Sequence, residues 1–321
     1  MISNTFQLIV TLGPASLELI EPLIDAGAST FRLNTAHMAF DSVEALVRRV
    51  RSFSDTLPIV LDLQGAKMRL GTFPERQVTV NQEVIFAIQP SNVTDLPMEH
   101  AELVEQARPG DVMSVDDDRL RFQILEKTDR SLVTRTLSGG LLKSRKGINI
   151  AQHPVDLRGL REFDKEICRL AGRSSGTGCA ISFMKDGHEA DWVRHLAPHS
   201  PVVGKIERAE ALPNFEAISE RVESVWICRG DLGAQIGPAP MAKWISSITP
   251  RSLNRPVLMA GQVMEHLTSH REPTRTEVCH LYDLVSRGYA GIVLSDETAI
   301  GGDPVRAARE TSALVRAFQH S

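Results

Sequence analysis

Short apolar runs recur along the chain, each followed by a stretch with helical spacing. They are Gln7–Thr11 (QLIVT), Thr30–Leu33 (TFRL), Pro58–Leu63 (PIVLDL), Cys179–Phe183 (CAISF), Val202–Ile206 (VVGKI), Ser224–Cys228 (SVWIC), Pro256–Ala260 (PVLMA) and Gly291–Ser295 (GIVLS). Near-continuous apolar runs suit strands buried on both faces, as in parallel sheets. Helical patterns are read over Leu17–Ala26, Ser42–Ser52, Leu160–Leu170, His188–Leu196, Ala209–Arg221, Thr276–Arg287 and Val305–Gln319. Strands alternating with helices predict an α/β fold of the (β/α)8, or TIM-barrel, kind. A doubly wound sheet is the structural alternative.

The interval from about Met68 to Pro154 breaks this alternation. RQVTVNQEVIFAIQ and GDVMSVDDDRLRFQILEKTDRSLVTRTLSGG carry period-two strands separated by Gly, Asp and Pro turns. Residues 1–67 and 155–321 are therefore assigned to the barrel. Residues 68–154 are assigned to an inserted, β-rich, β-barrel-like domain. An insertion in the βα loop after strand three is expected to act as a lid at the C-terminal face, where barrel active sites lie.

Length and composition narrow the function classes. A chain of 321 residues predicts one large domain or two. The net charge of −4 carries no basic excess, which argues against nucleic-acid and membrane partners. Met1–Ile20 lacks a basic start followed by an apolar run, so no signal peptide is expected. Cys168, Cys179, Cys228 and Cys279 form no CxxC pair, so they are read as reduced thiols of a cytoplasmic protein.

Polar residues at strand C-terminal ends are the site candidates of a barrel. These ends carry Arg32, Asn34 and His37 after strand two, and Asp62, Lys67 and Arg69 after strand three. Lys205 and Glu207 follow strand five, Arg229, Gly230 and Asp231 strand six, and Asp296 and Glu297 strand eight. Glu207 and Asp231 suit Mg²⁺ or Mn²⁺, with substrate oxygens and water as further ligands. Arg32, Lys205 and Arg69 suit an anionic, phosphorylated substrate. Each of these charges alone is also open to the reading of an internal salt bridge. Asp116-Asp117-Asp118 reads as a solvated turn, with a metal cluster as the alternative. His188, His195 and His280 read as structural or surface residues.

Ten segments, in one order along nearly the whole chain, resemble the pyruvate kinase family. IVTLGPAS (Ile9–Ser16) resembles its opening strand and turn. FRLNTAH (Phe31–His37) resembles ARLNFSH, LDLQGAKMR (Leu61–Arg69) resembles LDTKGPEIR, and SVDDD (Ser114–Asp118) resembles VDDG. GGLLKSRKGINI (Gly139–Ile150) is similar to GGxLxSxKGVNL, ISFMK (Ile181–Lys185) to ASFVR, and GKIERAEALPNF (Gly204–Phe215) to SKIENxEGVxNF. CRGDLGAQI (Cys228–Ile236), EPTRTEV (Glu272–Val278) and LSDETAIGGDP (Leu294–Pro304) resemble ARGDLGVEI, RPTRAEV and LSGETAxGxYP.

The resemblance implies phosphoryl transfer between phosphoenolpyruvate and ADP, mostly by positioning and charge neutralisation. Glu207 and Asp231 match the carboxylates that hold the divalent cation. Lys205 and Arg32 match the cations that stabilise the transferring phosphoryl group. Gly230 and Asp231 match amides that hold the substrate carboxylate, with Ser182 at the substrate side. His37, Arg69 and Lys146 match nucleotide contacts. Asn34 and Asp62 match ligands of a monovalent cation. The implied partners are a phosphoenolpyruvate- or pyruvate-like substrate and ADP or ATP; self-association into a homo-oligomer is left open.

The chain also departs from the family. Gly261 replaces the threonine of CATQM, whose hydroxyl serves proton transfer at the enolate carbon. Gln64 and Ala66 replace a lysine and a proline, Ala36 a serine that helps bind the monovalent cation, and Asp296 a glycine. Lys67 replaces a glutamate, and its ammonium is expected to stand in for the monovalent cation, which is then not required. The sequence runs to Ser321, just past the helix expected to close the barrel. A short form without the family's C-terminal regulatory domain is therefore expected. A phosphotransferase of pyruvate kinase type is the leading reading. A metal-dependent lyase or aldolase using a pyruvate enolate, and a non-catalytic binding protein, are the alternatives.

Overall fold

A computed structural model describes residues 6–319 apart from Asp117 and Ala151, with the side chain of His37 also left out. The chain divides into two compact units: Met1–Gly65 with Glu162–Ser321, and Ala66–Arg161.

The first unit is a closed barrel of eight parallel strands. They are β1 (Gln7–Leu12), β2 (Thr30–Asn34), β3 (Ile59–Leu63), β4 (Thr177–Ile181), β5 (Val202–Ile206), β6 (Ser224–Cys228), β7 (Val257–Ala260) and β8 (Gly291–Leu294). Each pairs in parallel with its sequence neighbours, and β8 returns to β1 through Gln7–Gly291 to Val10–Leu294. Gly291 makes this closure: a Cβ there would lie 2.3 Å from the Gln7 carbonyl oxygen. The alternative of an open doubly wound sheet is thereby excluded.

Side chains at alternate positions fill the barrel. Ile9, Val60, Ala180, Val203, Trp226, Leu258 and Val293 pack as one buried cluster. They form an apolar floor, since residues two positions on along each strand point to the same side, one layer nearer the C-terminal mouth.

The helices around the barrel are α1 (Ile20–Asp25), α2 (Phe40–Phe53), α3 (Glu162–Arg173), α4 (Glu189–Leu196), α5 (Phe215–Arg221), α6 (Arg229–Ile236), α7 (Pro238–Ser247), α8 (Arg275–Arg287), α9 (Asp296–Ala299) and α10 (Pro304–Gln319). The start of α8 is fixed locally by a capping box, in which Thr274 and Glu277 satisfy each other's backbone amides. The pair α6–α7 is not marked by the hydrophobic pattern. The glycines and prolines of RGDLGAQIGPAPMAKW hide its period, although proline at the first turn of a helix is tolerated. Strand four also differs, starting at Thr177 and ending at Ile181 rather than spanning 179–183. Phe183 continues the apolar run but turns away with φ of +58°.

The second unit has its own core, with Phe86 and Phe122 packed edge to face at 5.1 Å. A six-stranded sheet runs in the order Ile148–Ile150, Val112–Val115, Leu120–Lys127, Ser131–Thr136, Glu83–Ala87 and Leu96–Pro97. A two-stranded ribbon pairs Gly140–Leu142 with Arg76–Val78. Val155 and Leu157 pack on this core, so the insertion runs on to Arg161 rather than ending at Pro154. Asp116 and Asp118 lie in the turn between two of its strands, both at positive φ, and pair with Lys146 at 2.7 Å and Arg121 at 2.9 Å. That is the turn reading; Asp117 lies outside the described residues.

Among the described residues no helix is long and apolar enough to cross a membrane. All four cysteines are free, with Cys168, Cys179 and Cys228 buried and Cys279 exposed.

Candidate active site

Two positions beyond the apolar floor, the inward residues become polar: Thr11, Asp62, Ser182, Lys205 and Cys228, joined by Arg32 of β2. The strand register brings them together, pairing Arg32 with Val60 and Lys205 with Trp226. Arg32 donates to Asp62 Oδ2 from Nε at 2.8 Å and Nη2 at 2.6 Å, and from Nη1 to Thr11 Oγ1 at 3.0 Å. Lys205 Nζ donates to both Asp62 oxygens at 3.0 Å, lies 3.0 Å from Glu207 Oε1, and donates to Ser182 Oγ at 2.9 Å. The Ser182 hydroxyl in turn donates to the Leu63 carbonyl at 2.8 Å. Two cations and two carboxylates thus balance one another in a buried layer, which is the condition for charges to persist there.

The electrostatics follow from this pairing. Burial pushes the Asp62 carboxyl up, but Lys205 and Arg32 together hold it below its ordinary value. Burial pulls the Lys205 ammonium down, but Asp62 and Glu207 hold it well above its ordinary value. Lys205 is therefore a fixed positive charge at neutral pH. Cys228 lies in the same layer. Its thiol is raised by burial and then by Glu207, with Asp62 and Asp231 adding to the effect.

Glu207 and Asp231 follow neighbouring strands of the barrel, β5 and β6. Glu207 is 2% exposed, and its Oε2 accepts from the Phe183 amide at 2.9 Å. Asp231 sits in the first turn of α6 and is half-buried. Among the described residues no group of three or more His, Cys, Asp or Glu side chains could hold a metal ion. Two hard carboxylates, completed by substrate oxygens and water, fit Mg²⁺ or Mn²⁺.

The oxygens matched to a monovalent cation already accept hydrogen bonds from the protein. Both Asp62 oxygens accept from cationic side chains. Asn34 Oδ1 accepts from the Ala36 amide at 3.3 Å, and Ala36 offers no hydroxyl.

At the next strand end, α6 begins at Arg229 with no side-chain cap, and Gly230 is exposed. Such a helix start is suited to an anion. Gly261 stands opposite: a Cβ on it would lie 3.5 Å from the Gly230 nitrogen and 3.7 Å from the Arg229 nitrogen. Its φ is +80°, so a Cβ there meets no steric block but a strained backbone. Arg229 fixes this peptide, donating from Nε to the Gly261 carbonyl at 2.9 Å and from Nη1 to His280 Nε2 at 3.0 Å. Glu297, 2% exposed, ties the loops after β7 and β8 together by accepting from the Met264 and Ser295 amides. Asp296 is exposed at the start of α9.

Of the remaining predicted residues, Lys67, Arg69 and Lys146 belong to the inserted unit and His37 to the barrel. Arg69 donates to the Arg145 carbonyl at 2.8 Å, Lys146 pairs with Asp116, and Lys67 Cε lies beside Gly147. The main chain of Thr35–His37 makes one 3-10 turn; the His37 side chain lies outside the described residues.

A family model described as pyruvate kinase, barrel domain, matches residues 3–308. The chain belongs to the pyruvate kinase family. It is 30% identical over 315 residues to a pyruvate kinase of Agrobacterium vitis, covering 94% of this chain and 65% of that protein. It is 30% identical over 319 residues to the pyruvate kinase of Haemophilus influenzae, covering 93% and 67%. Pyruvate kinase 2 of Synechocystis is 31% identical over 326 residues, covering 94% and 54%. The chain thus spans about two thirds or less of the length of these curated relatives.

Thr11 and Cys228 were not among the site candidates at the strand ends. Thr11 and Cys228 carried a usable signal, since each lies two residues beyond a floor residue, Ile9 and Trp226. Arg229 was marked by its place at the end of strand six, but its partners Gly261 and His280 are fixed only by folding. Gln64, where the family has lysine, is buried, and neither atom of its amide has a hydrogen-bond partner among the described residues. Burying an amide in that state costs free energy that a bound water or ligand would offset.

Proposed function

We propose that this barrel carries a pyruvate kinase-like phosphotransferase site, which moves a phosphoryl group between phosphoenolpyruvate and ADP. The supporting observation is the pair Lys205 and Arg32, two buried cations locked on one carboxylate. Phosphoryl transfer needs fixed positive charge at the group in flight, and these residues supply it without reorganisation. Glu207 and Asp231 would hold Mg²⁺ or Mn²⁺, which when bound contributes charge neutralisation beside the phosphoryl oxygens. The first amides of α6, at Gly230 and Asp231, would hold the substrate carboxylate, with Ser182 orienting Lys205. His37, Arg69 and Lys146 would contact the nucleotide. Lys67 would take the place of a monovalent cation. Small-molecule partners and a cytoplasmic setting suit this chemistry.

Gly261 has no hydroxyl, so the enolate lacks its family proton donor. General acids contribute roughly 10²–10⁴-fold, so pyruvate formation is expected to be slow by about that factor. The same glycine favours a second reading, in which the enolate attacks an acceptor carbon in a lyase or aldolase reaction. One assay separates them. Pyruvate released from phosphoenolpyruvate and ADP, with Mn²⁺ present, is expected from the wild type and lost in Lys205→Met. Turnover of phosphoenolpyruvate that survives Lys205→Met rules out the phosphotransferase reading.

A further inference from the structure

Gly261 ends β7 at φ of +80°, a conformation that disfavours every residue with a side chain. Its peptide is held there from behind by Arg229, itself anchored on His280. Apart from its chain neighbours, two atoms among the described residues lie within 4 Å of where its Cβ would be, and both are amide nitrogens at the start of α6. The result is room for one methyl, in ordinary contact with the amides of Arg229 and Gly230.

We propose that Gly261 sets the substrate class of this site: 2-oxo acids, and their enol phosphates, that carry an alkyl substituent on the third carbon. This rests on the pyruvate kinase-like reading of the barrel. A carboxylate held on the α6 amides places its second and third carbons within a few ångströms of them, and so beside Gly261. With a three-carbon acid the space stays unfilled, and the third carbon forfeits contacts on that side. One added methyl occupies it. A methylene that fits its pocket is worth roughly 10–200-fold in affinity. The glycine thus does two things with one feature, satisfying the backbone conformation and opening the space.

The test is calorimetry of the wild-type protein with Mn²⁺ and, in turn, pyruvate, 2-oxobutyrate and 3-methyl-2-oxobutyrate. The expected result is 2-oxobutyrate binding about tenfold more tightly than pyruvate, at the lower end of that range. Gly261→Ala puts a methyl in ordinary contact with the Gly230 amide and is expected to reverse the preference. If that variant fails to fold, the wild-type series still decides. Pyruvate binding as tightly as 2-oxobutyrate, or more tightly, overturns the proposal and leaves the pyruvate kinase-like reading standing. Binding of none of the three acids overturns both.

Discussion

Lys205 donates to both carboxylate oxygens of Asp62 at 3.0 Å, although 143 positions separate the two residues. The contact spans from the end of β5 to the end of β3 inside the barrel. With Arg32 on the same carboxylate, it turns Asp62 into the common anchor of two cations. The positions of both cations are therefore set by the barrel's own carboxylate.

Removing that anchor leaves Lys205 and Arg32 with Glu207 alone. Breaking one side of a buried pair typically costs about 3–5 kcal/mol, because the surviving charge is left uncompensated. Asp62→Asn is expected to fall in or just below that range, measured by urea unfolding at pH 7. A loss under about 0.5 kcal/mol, the size of an ordinary surface substitution, would show that the network tolerates the missing charge.

Metal binding should need both strand-end carboxylates. Calorimetry of Mn²⁺ with oxalate is expected to show binding in the wild type and none in Glu207→Gln, with Asp231→Asn weakened in the same direction. Unchanged binding in Glu207→Gln would remove that residue from the metal site.

The oxygens of Asp62 and Asn34 already face protein donors, and Lys67 brings a further positive charge in sequence. Any turnover is expected to be equal in K⁺ and in tetramethylammonium buffers. Strong activation by K⁺ would mean that Asp62 gives up its hydrogen bonds to a bound ion.

His280 offers a pH test of the support behind Gly261. Arg229 can only donate, so His280 Nε2 must accept and the imidazole is neutral. Burial, and then the Arg229 charge, lower its pKa below the ordinary 6.5. A depressed folded value means the contribution is complete above the unfolded pKa and is lost as pH falls through the folded one. His280→Gln is therefore expected to flatten the fall in thermal midpoint between pH 7 and pH 5. An unchanged slope would place the acid sensitivity elsewhere.

By itself the sequence determined the barrel. Strands buried on both faces must be apolar throughout, so each run was visible without its partners, and period-two segments marked the insertion for the same reason. It also marked Lys205, Glu207, Arg32 and Asp62, because charge at the mouth of an apolar strand stands out. Only the tertiary structure decided what those charges do. Whether Asp62 serves a cation or anchors Lys205 and Arg32 depends on strand register around a closed barrel, and no local pattern encodes distances across it. Gly261 makes the same point. Its lack of a hydroxyl is written in the sequence, but its left-handed backbone and the open space beside the α6 amides arise only when β6 and β7 lie side by side.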